Sequence, residues 1–312
     1  MAENNKKTNT AVGIILMLLA AFIWGTAFIA QSKGLEKIGN FTFLSFRSYL
    51  AVAALLPVSI ITYKKDKKNK IGENKKNSRF FSKRLIVSSI ICGTMLFFGN
   101  AAQQLGIVNS GVGKSGFLTT LYILIVPLIG LIVFKRKVNP VLWICIGIAL
   151  VGMYFLCVTQ SGGIGFGDVM LVICALCFSI QITAVDHYIS TVDGIRLSLM
   201  QFVVCGLIST VVMLFTEQLE FSALLDSWFA VFYAGVMSSG VAFTLQILSQ
   251  EHLNPVVASL IMSLESVFAA LSGAVFGERL SRNEIIGCCL VFTAIIISQL
   301  PTEKLFAKKQ KE

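Results

Sequence analysis

Charge is what this chain has least of. Asp, Glu, Lys and Arg make up 13% of its 312 residues, against about 25% in a soluble domain. So few charges do not cover a globular surface, which argues against a soluble enzyme. Histidine is nearly absent: only His187 and His252 occur. Neither lies near Cys174-x-x-Cys177, so a metal or redox centre there lacks ligands. The eight cysteines all fall in apolar segments and read as small buried hydrophobes. Phosphate loops are incomplete as well. Gly113-Lys114-Ser115 ends like one, but Val108 stands where its first glycine belongs. Gly165-Phe166-Gly167-Asp168 imitates an intramembrane aspartyl protease, a chemistry that needs two carboxylates at one site. Asp186 lies 18 residues further along the same helix, about 27 Å away, and Asp66 falls in a loop on the other side. No catalytic residue, metal or cofactor is expected.

What is abundant is hydrophobic side chain, at 55%, which excludes disorder. A bilayer-spanning helix needs about 20 apolar residues. Ten runs qualify: Ala11–Gln31, Phe41–Tyr63, Leu85–Val108, Ser115–Phe134, Val141–Val158, Asp168–Tyr188, Arg196–Thr216, Trp228–Ser249, Pro255–Phe276 and Ile285–Leu300. The runs are continuous and do not alternate as barrel strands do, so helices are the expected elements. Lys6 and Lys7 imitate the start of a signal peptide. The run after them continues past about fifteen residues without an Ala-x-Ala site, which reads as a retained first helix.

Lysine and arginine set the orientation. With the N-terminus cytoplasmic, 20 of the 26 basic residues fall inside and five outside, while Arg47 lies within a helix. Both termini are therefore expected in the cytoplasm, in the plasma membrane. Ten of the inner charges crowd the loop from Lys64 to Arg84. That loop reads as a positive-inside signal. It has no aromatic interleaving, so no nucleic-acid partner is expected.

The second half resembles the first. An offset of 154 lays Ala21-Phe22-Ile23-Trp24-Gly25 on Ala175-Leu176-Cys177-Phe178-Ser179, and Arg47 on Gln201. An offset of 143 lays Gln103 on Gln246, Gly130 on Gly273 and Arg136 on Arg279. An offset of 140 lays Gly147 to Val151 on Gly287 to Val291. Five helices per copy make the second copy enter from the opposite face. The expectation is all-α integral membrane: ten transmembrane helices as two inverted five-helix repeats.

These residues resemble a known family. Leu19-Ala20-Ala21-Phe22-Ile23-Trp24-Gly25 with Phe46-Arg47 resembles the opening of an EamA-type domain. Lys114 to Tyr122, with Pro127, resembles its fourth helix. Gly167-Asp168 opens the sixth helix as in the family, and Ser263 to Ala270 with Gly277-Glu278-Arg279-Leu280 resembles the ninth helix and its exit. Ser266 stands where the family often has proline, which removes the usual cause of a kink there. The resemblance implies the drug/metabolite transporter superfamily, with a central substrate cavity. It implies one repeat over 11–158, a second over 165–300, and cytoplasmic tails at 1–10 and 301–312.

Polar groups inside bilayer helices are costly and tend to face the bundle or a wet cavity. Helical spacing groups Trp24, Phe28 and Gln31; Asn100, Gln103 and Gln104; Ser115, Thr119 and Tyr122; Phe178 and Gln181; Ser239, Phe243 and Gln246; Met262 and Glu265. The resemblance implies that these helices line the cavity. Trp24, Asn100, Gln103, Tyr122, Phe178, Gln181, Gln246 and Glu265 are the candidate substrate-contacting residues. Interhelical hydrogen bonding is the competing reading for each amide. Glu265 falls near the middle of its span. An ionised acid there costs roughly 2.5–3.5 kcal/mol, by analogy with Asp. It is a proton-coupling site, an anchor for a substrate amine, or a neutral acid bonded to a neighbour. Arg47 reads as a structural residue that snorkels or pairs, and Asp168 as a helix cap. Asp186 and His187 are a solvated helix end or a gate pair.

The expected function is a secondary transporter that exports or exchanges small polar metabolites such as amino acids by alternating access. The alternatives are a broad-specificity drug exporter, a membrane-embedded enzyme, and a non-transporting membrane protein. Its expected partners are a small-molecule substrate and the lipid bilayer. Monomer and homodimer both stay open.

Overall fold

Lipid offers the backbone no hydrogen bonds, so each bilayer-crossing segment must satisfy its own. The computed structural model is helical accordingly. It describes residues 2–68, 80–110, 112–136, 138–157, 164–275 and 281–299. Most of the basic loop, the Gly277-Glu278-Arg279-Leu280 segment and the tail 301–312 lie outside the described residues.

The helices are α1 (Ala2–Leu35), α2 (Asn40–Lys68), α3 (Lys83–Ser110), α4 (Val112–Thr119), α5 (Tyr122–Ile132), α6 (Pro140–Cys157), α7 (Phe166–Ile189) and α8 (Gly194–Thr216). They continue with α9 (Phe221–Asp226), α10 (Trp228–Phe232), a π-helical stretch Tyr233–Ala242, α11 (Phe243–Gln250), α12 (Pro255–Met262), α13 (Leu264–Val275) and α14 (Arg282–Gln299). Among the described residues, eight stretches are long and apolar enough to cross a membrane. The chain is thus an all-α, multi-pass membrane protein. The helix Pro140–Phe155 is shorter but apolar, and it packs against α14.

Three apolar runs depart from simple helices. Run four divides at Thr120–Leu121 into α4 and α5. There the Thr120 hydroxyl donates to the carbonyls of Gly116 and Phe117 at 2.9 and 2.8 Å, and the backbone tightens to three-residue steps at Leu121 and Ile123. Run nine divides at Ser263, although Ser266 is not proline. The cause is serine: Ser259 and Ser263 donate to the carbonyls three residues back at 2.9 and 2.6 Å. Run eight widens into the π-helical stretch. At the other end of the chain α1 begins at Ala2, ahead of its apolar run.

Two faces of α1 explain the packing. Ile15, Leu19 and Phe22 are exposed and suit lipid, while Met17, Ala20, Ala21 and Trp24 are buried. Helix α3 packs on α7, α2 on α8, and α6 on α14, while α1 lies between α13 and the π-stretch with α11. Gly25 permits the α1–α13 approach. A Cβ there would stand 2.5 Å from Phe268 Cβ, 2.7 Å from the Glu265 carbonyl oxygen and 2.8 Å from the Ala269 nitrogen. Glycine at 25 thus brings α1 against the backbone turn that carries Glu265.

Candidate functional site

The helices converge on a small cavity in the middle of the bundle. Helix α1 supplies Trp24, Phe28 and Gln31; α2 supplies Arg47; α3 supplies Asn100 and Gln103. Tyr122 comes from the first turn of α5, and Phe178, Gln181 and Ile182 from α7. Ser238, Phe243 and Gln246 come from the π-stretch and α11, Met262 from the end of α12, and Glu265 from the start of α13. The cavity measures about 30 Å³, room for a few waters at most. A metabolite needs more room than this conformation gives.

All eight candidate residues read from the sequence border this one cavity. Gln104, Ser115, Thr119 and Ser239 do not. They are buried elsewhere in the bundle. Both polar side-chain atoms of Gln104 lack a hydrogen-bond partner. Asn100 turns its amide back onto the Leu96 carbonyl at 2.8 Å.

Aromatic rings form one wall. Trp24 and Phe243 meet edge to face with centroids 4.9 Å apart, and Phe178 and Phe202 each pack on Phe243. The Trp24 indole N–H donates to the Ser238 carbonyl at 3.2 Å. Amides form a second wall. Gln250 donates to the Ile182 carbonyl at 2.9 Å. Gln246 donates to Gln250 at 3.3 Å and to Gln181 at 3.2 Å, and Gln181 donates to Gln201 at 3.2 Å. Gln246 Oε1 and Gln201 Nε2 are buried with no partner. Gln201 and Gln250 are not among the sequence candidates, although Gln201 was legible as the repeat partner of Arg47.

Two ionisable groups face the cavity from different helices. Glu265 is 5% exposed and accepts from the Tyr122 hydroxyl at 3.1 Å. Arg47 is 1% exposed. It donates from Nε to Ser239 Oγ at 2.9 Å, from Nη1 to Gln31 Oε1 at 2.8 Å and from Nη2 to Ser238 Oγ at 3.3 Å. It therefore does not snorkel. Its geometry places it in the cavity wall, a position the sequence reading did not give it.

Other polar residues serve helix ends. Asp168 accepts from the Gly165 N–H at 2.9 Å and from Ser110 at 2.8 Å, which is the capping arrangement expected of it. Asp186 pairs with Arg136, and His187 lies against the Phe134 ring, so the two neighbours do not pair with each other. Among the described residues no cluster of His, Cys, Asp and Glu could hold a metal ion.

A family model of the EamA-like transporter family matches residues 11–158 and 165–300. An uncharacterized transporter of Archaeoglobus fulgidus is 28% identical over 308 residues, which is 96% of this chain and 88% of that protein. A crystal structure described only as that of a protein superposes with a TM-score of 0.76 at 15% identity. The match covers 95% of this chain and 99% of that one, and at this identity it speaks for the fold alone.

Proposed function

The chain belongs to the EamA-like transporter family, and from that premise we propose that it is a secondary transporter exporting or exchanging small polar metabolites such as amino acids. The observation that carries the reading is the cavity. A buried carboxyl, a chain of amides and an aromatic wall meet in one space among the helices. Those are the groups that orient a small polar molecule with an apolar part.

The packing supports ten crossings arranged as two inverted repeats, over 11–158 and 165–300. Helix α3 packs on α7 as the π-stretch with α11 packs on α1, and α4 and α5 meet α7 as α12 and α13 meet α1. The α2–α8 and α6–α14 pairs then lie on the pseudo-symmetry axis. The break at Thr120 falls 143 residues before the break at Ser263, the offset that relates Gln103 to Gln246. Paired broken helices at the binding depth suit alternating access. The excess of basic residues on one side supports cytoplasmic termini, and the reading assigns the chain to the plasma membrane.

Trp24, Phe28, Phe178, Phe243 and Met262 also suit a bulky apolar drug, which favours broad-specificity export as the second reading. The deciding experiment loads proteoliposomes with amino acids, nucleosides, small amines and lipophilic dyes, and follows each by mass spectrometry. Selective loss of one polar class, reduced in Glu265→Gln, is the expected result. Loss of the dyes alone transfers the assignment to drug export. Retention of every solute against imposed proton and sodium gradients rejects transport of these classes.

A further inference from the structure

Arg47 is a buried cation whose partners in the structure are all neutral. Three of its five N–H groups go to Ser239, Gln31 and Ser238. Each Nη carries two N–H bonds and spends one, so one remains on each. A guanidinium that presents one N–H from each Nη can pair with both oxygens of a carboxylate. Among the described residues no carboxylate lies within ion-pair distance of Arg47. A charge held this deep without a counter-charge is costly, and hydrogen bonds from neutral groups offset only part of the cost. The second ionisable group of the same cavity, Glu265, is engaged by Tyr122 and not by Arg47.

Resting on the transport reading above, we propose that Arg47 is the anion subsite of the cavity. It receives the substrate's carboxylate on its two remaining N–H groups, while Glu265 faces the substrate's amine. The substrate class is then a zwitterionic α-amino acid. The site becomes fully charge-paired only when it is occupied. Neutral hydroxyl and amide partners suit this role, because they hold the guanidinium without competing for it as an aspartate would. Two of those partners, Ser238 and Ser239, sit in the π-helical stretch. Engagement of a carboxylate is thereby communicated to the irregular part of that crossing.

The test uses the full chain in proteoliposomes loaded with the standard amino acids and, in equal amounts, their carboxamides. The amide keeps the amine and side chain but removes the negative charge. Wild-type protein is expected to release at least one amino acid roughly tenfold or more faster than its amide, the scale of one charge-assisted hydrogen bond. Arg47→Gln is expected to lose that preference and Glu265→Gln to keep it. Equal release of acids and amides by wild-type protein overturns the subsite and leaves the transporter reading standing. So does a preference that survives in Arg47→Gln. Arg47→Lys keeps the charge without the fork and is the fallback if Arg47→Gln does not fold. It is expected to retain a reduced preference, and an unchanged one overturns the paired N–H geometry. If neither class leaves, the amino-acid transport reading fails, and melting temperature with the same two mixtures decides the subsite. A rise with acids but not amides, absent in the Arg47 variant, upholds it. No rise with acids rejects it.

Discussion

The Tyr122 hydroxyl donates to Glu265 Oε1 at 3.1 Å across 143 residues of sequence. Each residue lies just beyond a break in its own crossing: Tyr122 opens α5 after Thr120–Leu121, and Glu265 follows Ser263 at the start of α13. The bond thus joins two discontinuous elements at the cavity. A hydrogen bond contributes about 0.5–1.5 kcal/mol net, and more where one partner is charged. Tyr122→Phe is expected to slow transport roughly tenfold, and Glu265→Ala to slow it more. The double variant should be no slower than Glu265→Ala alone, because each change removes the same hydrogen bond. Initial rates for the four members of the cycle measure this coupling. Multiplying effects in the double variant would mean that the two residues act separately.

Gly25 makes a second, purely steric prediction. Two of the three atoms that a Cβ at 25 would meet are backbone, the Glu265 oxygen and the Ala269 nitrogen. Backbone does not rotate away as a side-chain tip can. Gly25→Ala must separate α1 from α13 by a few tenths of an ångström or more. Overpacking of this kind costs about 1–3 kcal/mol. The expected outcome is a lower melting temperature in detergent together with slower transport, since the displaced turn carries Glu265. Gly130→Ala is the control, because a Cβ there meets nothing within 4 Å.

Some of this geometry recurs at the repeat offsets written in the chain. The offset of 143 that relates Gln103 to Gln246 also relates Thr120 to Ser263 and Tyr122 to Glu265. Polar residues at helical spacing located the cavity, because an amide in a bilayer helix has few places to face. The breaks were harder to read. Proline was the expected signal in the ninth crossing, whereas serine and threonine hydroxyls bond back to their own helix and tighten it. Arg47 reads from the sequence as an arginine that snorkels or pairs, and the spacing does not say with which residues. Its burial depends on Gln31, Ser238 and Ser239, two of which come from nearly 200 residues away, and sequence spacing within one helix does not display that.

The amide chain separates stability from transport. Gln181 stands between Gln201 and Gln246, donating to one and accepting from the other. Gln181→Leu leaves Gln201 Oε1 and Gln246 Nε2 each short of a bond in a buried setting. An orphaned buried polar group costs about 1–3 kcal/mol, so this variant is expected to lose several degrees of melting temperature as well as activity. Gln103 borders the cavity outside that chain. Gln103→Leu is expected to melt near wild-type temperature and to alter transport alone. Equal melting losses in the two variants would show that the amide chain contributes nothing particular.

Glu217 offers a test on the face expected to lie outside, well away from the cavity. It follows the last residue of α8, yet its carboxylate accepts from the Phe41 and Thr42 backbone N–H groups at 2.9 and 2.8 Å, and from the Thr42 hydroxyl at 2.7 Å. It therefore caps the N-terminus of α2 in place of a local residue, and its charge meets the positive end of that helix. Glu217→Ala is expected to cost about 1–2 kcal/mol. Glu217→Gln should cost less, because the amide keeps one acceptor. Gly39 supplies an independent check. A Cβ at 39 would press on the Glu217 carboxylate, which sits at the end of a movable side chain and can swing aside only by leaving the cap. Gly39→Ala should thus reproduce the loss seen in Glu217→Ala, and combining the two should add little. Two fully additive losses in chemical denaturation would mean that Gly39 matters for its own backbone rather than for the cap.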